Sequence, residues 1–442
     1  MRDPFLEPRF LLKMEAVQRE EEGYDLSGVR EALGNLAEKD ANEVEWMFQK
    51  MEMLPRRADF PYDEPSDLGE IRARRPDGIR KMNLPDEAVL EDKLLGAWLG
   101  RAVGCQLGKP VEGMPKQDIE TYLRAAKAYP LEDYVPLLDP SPVKIVVHAP
   151  QSTKGNFQEM ARDDDIDYTI LGLHILEKYG PEFTTENVAD EWLSLLPYQM
   201  VYTAERVTYR NLINDVPVEK AGNWRNPYRE WIGAQIRADG WAYGAAAWPE
   251  KAAAFAWRDA SLSHVKNGIY GEMWAAAMIA GAFGIETQKL STEDIEQLIR
   301  IGLAEIPANC RLAEAIEKLI AWRKEIDDWQ TAWERINELV GGYHWVHTIN
   351  NALIVALGLL YGKGDFSKSI CIAVMGGWDT DCNGATVGSI LGAVYGASQI
   401  PVRWAEPLHD RTRSAVIGYD GSTFSGLAAR TLAVTRRVWG EQ

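Results

Sequence analysis

The sequence predicts an all-α fold, and three observations carry that prediction. From "DEAVLEDKLLGAWLG" onward apolar residues recur at helical spacing, Gly or Pro punctuates them about every 12 to 25 residues, and period-two alternation is scarce. The best strand candidate is the short run "VKIVVHAP". With 442 residues and a hydrophobic fraction of 46%, the chain can bury a large core.

The elements fall into three parts. Residues 1–60 are charge-dense and contain two helical patterns, "SGVREALGNLAEK" and "ANEVEWMFQKMEML", the second running to Pro55, and they read as an appended helical extension. The passage "RRADFPYDEPSDLGEIRARRPDG" combines prolines and dense charge with neither period, which places an exposed connector at residues 61–84. Residues 85–442 then form one all-α domain with a single core.

Composition excludes several function classes. A formal net charge of −18 opposes binding to nucleic acid or to an anionic membrane surface, where Lys and Arg must neutralise phosphates. It does not oppose a phosphate-bearing small molecule, because bound divalent cations invert the local field. No apolar run reaches the roughly 18 residues of a membrane span. "MRDPFLEPRF" has no apolar core with a cleavage site, so the expected location is cytoplasmic. Cys105, Cys310, Cys371 and Cys382 show no short paired spacing, which fits reduced thiols and neither a disulfide framework nor a structural zinc site.

Two segments carry glycine at every fourth position: Gly96, Gly100, Gly104 and Gly108, and again Gly384, Gly388, Gly392 and Gly396. Residues four apart share a helix face, so each stripe lets another backbone approach closely. Glycine costs about 1 kcal/mol per helical position against alanine, so eight of them require a compensating contact. Core packing accounts for the stripes themselves, and the helix ends are where a site would sit.

Acidic residues gather at such ends. In "MGGWDTDCNGATVGSILGAVYG", Asp379, Asp381, Asn383 and Gly384 match the opening of a calcium loop, but the twelfth position is Ile390 where a bidentate Glu is needed. The following residues suit a buried helix, which places Asp379 and Asp381 at its N-terminus, where capping accounts for one carboxylate and not for two. In "ARDDDIDYTILGLHILEKYG", Asp163, Asp164, Asp165 and Asp167 precede or open another helix that stops at Gly180-Pro181. Alone, that cluster reads as a solvated helix start. Together, Asp163, Asp164, Asp165, Asp379 and Asp381 offer an oxygen-rich site for hard divalent cations. Glu112, delivered by the Gly108-Lys109-Pro110 turn, is a candidate general acid or base, though such a residue alone is usually a surface group.

These segments, in this order, resemble the motifs of the ADP-ribosylglycohydrolase family across roughly residues 90–430. The family's Gly-rich first helix ends in a Gly-Asp-x-Leu-Gly-x-Pro-x-Glu-like turn, here Gly104-Cys105-Gln106-Leu107-Gly108-Lys109-Pro110-Val111-Glu112. Its Thr-Asp-Asp-Thr is matched by Asp163-Asp164-Asp165-Ile166, and its Gly-Gly-Asp-Thr-Asp-Thr by Gly377-Trp378-Asp379-Thr380-Asp381-Cys382. "NGIYGEMWAAAMIAGAF" is similar to a fourth segment of the family, and it offers Asn267, Tyr270 and Gly271 as substrate contacts. The resemblance implies an orthogonal multi-helix fold with a central cleft holding two divalent cations, Mg2+ or alternatively Mn2+. It also implies hydrolysis of the C1″ glycosidic bond of an ADP-ribosylated protein or small molecule, with the five aspartates as metal ligands and Glu112 as the catalytic glutamate.

The departures from the family pattern are local. Asp163 and Cys382 stand in for threonines, Ile166 for another, Cys105 for an aspartate, and Trp378 for a glycine. Trp378 and Cys382 are therefore expected to shape the substrate pocket. Two other readings stay open: hydrolysis of a free nucleoside or other riboside, and a non-catalytic metal-binding relative. Trp224, Trp231, Trp241, Trp248, Trp257 and Trp274 recur at helical spacing and fit mostly core positions. His344 and His347 lie three apart as metal ligands can, but no third nitrogen or sulfur ligand is near in sequence, so they are expected in the core or supporting the residues that touch a ligand.

Overall fold

The computed structural model describes residues 4–36, 40–144, 147–287 and 289–440, and among these residues every regular element is a helix. Within "VKIVVHAP", Ile145 and Val146 lie outside the described residues, and the rest is irregular before a 3-10 turn at Pro150–Ser152. No helix among the described residues is long and apolar enough to cross a membrane. The four cysteines are buried and unpaired.

The core is organised by two helices, Glu87–Gly108 and Thr380–Tyr395, which hold the two glycine stripes between them. A side chain added at Gly96, Gly100 or Gly104 would overlap the carbonyl oxygen of Gly392, Gly388 or Gly384, respectively. The contact is reciprocal: a Cβ on Gly384 would lie 2.5 Å from the carbonyl oxygen of Gly104. The pairing sequence makes the helices antiparallel, so the last turn of the first meets the first turn of the second. At that end the Thr380 hydroxyl donates to the Gly108 carbonyl at 2.8 Å. Backbone packing this close is what compensates the low helix propensity of eight glycines.

Three further helices pack around this pair. The Asp164–Tyr179 helix begins at Asp163, whose side chain caps it by accepting from the Asp165 N–H at 3.0 Å, and Gly180 ends it with a φ of +73°. The apolar Thr348–Gly362 helix is buried throughout, including the polar pair Asn350 and Asn351. The Asn267–Phe283 helix is equally buried.

The N-terminal part differs from its sequence reading. Besides the expected Ala41–Glu52 helix, capped by an Asp40/Glu43 box, there is a longer helix at Pro8–Glu21 that the charge-dense sequence concealed. The first expected pattern yields only a short helix at Arg30–Gly34, and Ala37, Glu38 and Lys39 lie outside the described residues. Leu11, Leu12, Val44, Met47, Phe48 and Met51 form a second apolar cluster with Ala204, Val207, Tyr228 and Trp231. The stretch read as an exposed connector is mostly exposed or half-buried, but it is anchored at two points: Glu64 is buried and pairs with Arg311 at 2.8 Å, and Ile71 is buried on the short helix Leu68–Arg74. Of the tryptophans read as core, Trp231, Trp241 and Trp274 are buried, whereas Trp224 is exposed beside Arg210 and Arg225.

Candidate active site

The site forms where the two glycine-striped helices meet, and its residues follow from that register. Beyond Gly108 the chain tightens into a 3-10 turn, Lys109–Val111, and delivers Glu112. The Gly113 N–H donates to the Trp378 carbonyl at 3.0 Å, which ties the residue after Glu112 to the residue before Asp379. The Asp164–Tyr179 helix is brought in by Arg101, a fully buried guanidinium on the first striped helix. Its Nε donates to the Asp165 carbonyl at 2.9 Å and its Nη2 to Asp165 Oδ1 at 3.0 Å. The Cys382 thiol donates to Asp165 Oδ2 at 3.2 Å. Gln106 accepts from the Ala161 N–H at 3.2 Å and so holds the strand of loop that leads into Asp163.

Four of the five predicted ligands are thereby gathered. Ligand atoms of Cys105, Asp163, Asp165 and Asp381 lie within 4.8 Å of one another, and so do those of Asp379, Asp381 and Cys382. Asp381 belongs to both groups. None of the four aspartates is more than 4% exposed. Asp164 is outside these tight groups and more exposed, yet its carboxyl is pushed up to about 7, by burial and then by the charge of Asp163. Asp167 turns away to Arg162 at 2.7 Å and to the Ser414 hydroxyl at 2.7 Å, so it serves the fold.

The cluster is electrostatically costly as it stands. Burial, followed by the neighbouring Asp381, raises the Asp379 carboxyl well above its ordinary range, and burial, followed by Asp163, raises Asp381 to about 6. Glu112 is raised too, first by the charge of Asp381 and then by burial, and the Gly113–Trp378 hydrogen bond holds it near the start of the second striped helix. Buried like charges ask for a proton or a cation. The Oδ1 atoms of Asp379 and Asp381 are buried with no hydrogen-bond partner. Unpartnered, hard carboxylate oxygens converging in this way fit a divalent cation of the Mg2+ or Mn2+ type.

The surroundings differ from the sequence reading in several places. Asn267 and Tyr270 are fully buried. The Asn267 amide donates to Glu64 at 2.8 Å and Glu230 at 2.9 Å, and the Tyr270 hydroxyl donates to the Pro65 carbonyl. Gly271 lies against Thr348 and Gln235. These three predicted substrate contacts are committed to internal packing under the connector, not presented at the acids. Trp378 does border the site, partly exposed, with its ring centroid 5.9 Å from that of Trp333. Cys382 is buried, and its thiol is raised well above its usual range by burial and then by Asp165, which keeps it protonated. His344 is half-buried and stacks on Trp231 with ring centroids 4.2 Å apart, and His347 is fully buried.

Three site residues escaped sequence reasoning: Arg101, Lys109 and Asn351. Asn351 Oδ1 accepts from the Asp379 N–H at 3.2 Å and from the Asn383 amide at 2.8 Å, which fixes the start of the second striped helix. The available signal was polarity out of place, a lone arginine within "WLGRAVGCQLG" and two asparagines opening "NNALIVALGLL". A concavity of about 1280 Å³ elsewhere, lined in part by Asp133, Lys289, Phe366 and Arg403, contains none of the clustered acids.

Comparison with known proteins identifies the family and the fold. The family profile described as ADP-ribosylglycohydrolase matches residues 86–440. A solved structure of an ADP-ribosylglycohydrolase-related protein complex is similar in fold, with a TM-score of 0.50 at 19% identity, covering 79% of this chain and 99% of that one. No curated protein matches the sequence. On the extent of the profile match, over most of the chain and all of the clustered acids, this protein belongs to the ADP-ribosylglycohydrolase family.

Proposed function

We propose that this protein is a divalent-cation-dependent glycoside hydrolase that cleaves the N- or O-glycosidic bond at ribose C1″ of an ADP-ribosylated protein or small molecule. The observation that carries the proposal is the pair of buried, unpartnered carboxylate oxygens on Asp379 and Asp381, set beside Glu112 at the junction of two rigid helices. Asp381 and Asp379 are the residues that would hold the ion. When bound, a Mg2+ or Mn2+ ion supplies Lewis-acid activation and orients the ribose hydroxyls.

The remaining chemistry falls to the chain. As the bond from C1″ to the leaving nitrogen or oxygen breaks, its electron pair goes to the leaving atom and positive charge develops on the ring carbon. The surrounding carboxylates stabilise that charge in a site largely shielded from water. Glu112 gives its proton to the leaving atom and recovers one from the water that adds to C1″, so the carboxyl ends as it began. Trp378, in the partly exposed rim beside Gly113, presents an indole to the sugar or base. That bulk at the rim favours, as a second reading, a free nucleoside or nucleotide sugar as substrate.

The test is mass-spectrometric detection of ribose-containing product from arginine-linked, serine-linked and free riboside substrates, with Mg2+ or Mn2+ present. Glu112→Gln is expected to lower the rate by about 10²- to 10⁴-fold with the fold intact. Turnover of the free ribosides alone would select the second reading. No turnover of any riboside by the wild type, or full activity of the Glu112→Gln variant, overturns the assignment.

A further inference from the structure

The clustered acids are not equally free to bind a cation. Asp163 accepts from the Asp165 N–H with Oδ1 at 3.0 Å, while its Oδ2 is ion-paired with the ammonium of Lys109. Asp165 holds Arg101 on Oδ1 at 3.0 Å and the Cys382 thiol on Oδ2 at 3.2 Å. Arg101 is itself fixed by Asp239 at 2.7 Å and by the Ile236 carbonyl at 2.5 Å. Within the first ligand group, Cys105, Asp163, Asp165 and Asp381, two of the three carboxylates are thus committed to positive charges of the chain. The second group, Asp379, Asp381 and Cys382, contains the two oxygens with no partner.

We infer that the Lys109 ammonium takes the place of one of the two cations that the family resemblance implies, leaving this site to bind a single divalent ion at Asp379 and Asp381. The inference rests on the metal-dependent reading given above. Lys109 is held there by its backbone: it follows Gly108, whose carbonyl is bonded to Thr380, and it precedes Pro110 in the 3-10 turn, with only 17% of its side chain exposed. An ammonium contributes one fixed positive charge and three donors at a point where a divalent ion would need bare carboxylate oxygens. A second divalent ion beside it would meet a like charge in a buried setting, where such repulsion is poorly screened.

The decisive experiment counts ions and reads their coupling, independently of turnover. The protein would be loaded with Mn2+, the bound metal measured per chain by elemental analysis, and the electron paramagnetic resonance spectrum recorded. The wild type is expected to hold one Mn2+ with an uncoupled six-line signal. Lys109→Met, which keeps length and removes charge, should double the bound Mn2+ and give an exchange-coupled multiline signal. Lys109→Arg should stay at one, and Lys109→Gln serves as the neutral variant if the Met protein does not fold. Two coupled ions in the wild type, or a single ion in both neutral variants, overturns the inference while leaving the metal-dependent reading intact. No bound ion in the wild type overturns that reading itself, and this inference with it.

Discussion

Asp381 is the residue on which the site depends most, because it alone belongs to both groups of potential ligands. Asp381→Asn should weaken Mn2+ binding by more than the roughly 10- to 100-fold typical of losing a residue that merely orients a ligand, as titration calorimetry would show. In the metal-free protein the same change removes one of several buried like charges. It should therefore stabilise that form by about 1 kcal/mol, a gain measurable by urea unfolding in the presence of a chelator. Opposite effects on binding and stability are the mark of a cation site, whereas a structural carboxylate would lose stability on substitution. At this scale the sequence was informative about the acids themselves: Asp163, Asp165, Asp379 and Asp381 converge as their clustering at helix starts suggested. It was silent on Arg101 and Lys109, because what makes them site residues is a partner 64 and 54 positions away, respectively.

Among the elements, the striped helices determine where Glu112 and Asp381 stand relative to each other. The fourfold glycine spacing was legible as a close-packing surface, but that the two stripes face each other, antiparallel, was not, since either could have received a third helix. Gly104→Ala would drive a methyl group into the Gly384 carbonyl oxygen, a backbone atom that cannot swing aside. Its expected cost is about 1–3 kcal/mol or more, read as a lower urea midpoint with an unchanged slope. Because the displaced turn carries Asp381 on one side and leads to Glu112 on the other, activity should fall further than stability alone predicts. The Thr348–Gly362 helix illustrates the limit of periodicity: the role of Asn351 appeared only once Asp379 and Asn383 were seen to share its side-chain oxygen.

Across the whole molecule, the N-terminal segment is joined to the body by buried ion pairs. Arg229 pairs with Glu15 at 2.7 Å and Glu22 at 2.8 Å, and Arg311, itself paired with Glu230 of the body at 2.7 Å, reaches Glu64 of the connector at 2.8 Å. These pairings span more than 200 residues in three of the four cases, which is why the segment read from sequence as a mere extension. Glu21, at the end of the Pro8–Glu21 helix, has its carboxyl raised from 4.5 to about 8, first by burial and then by Glu230. The folded form therefore holds more proton than the unfolded form between those values, and the stability of this docking falls as pH rises through that window. Hydrogen exchange along residues 8–21, corrected for its intrinsic pH dependence, should be faster at about pH 9 than at about pH 6, and Glu21→Gln should flatten the difference. The hydrogen bond between Thr380 and Gly108 has a different consequence at this scale. It joins residues 272 positions apart, so the two helix ends are held by their mutual contact and not by the length of the loops between them. Enlarging a loop in that interval adds only about 0.6 kcal/mol of closure entropy per doubling. Loops of the intervening chain away from Glu112, Asp163–Asp165 and Asn351 can thus lengthen while the acids stay in register.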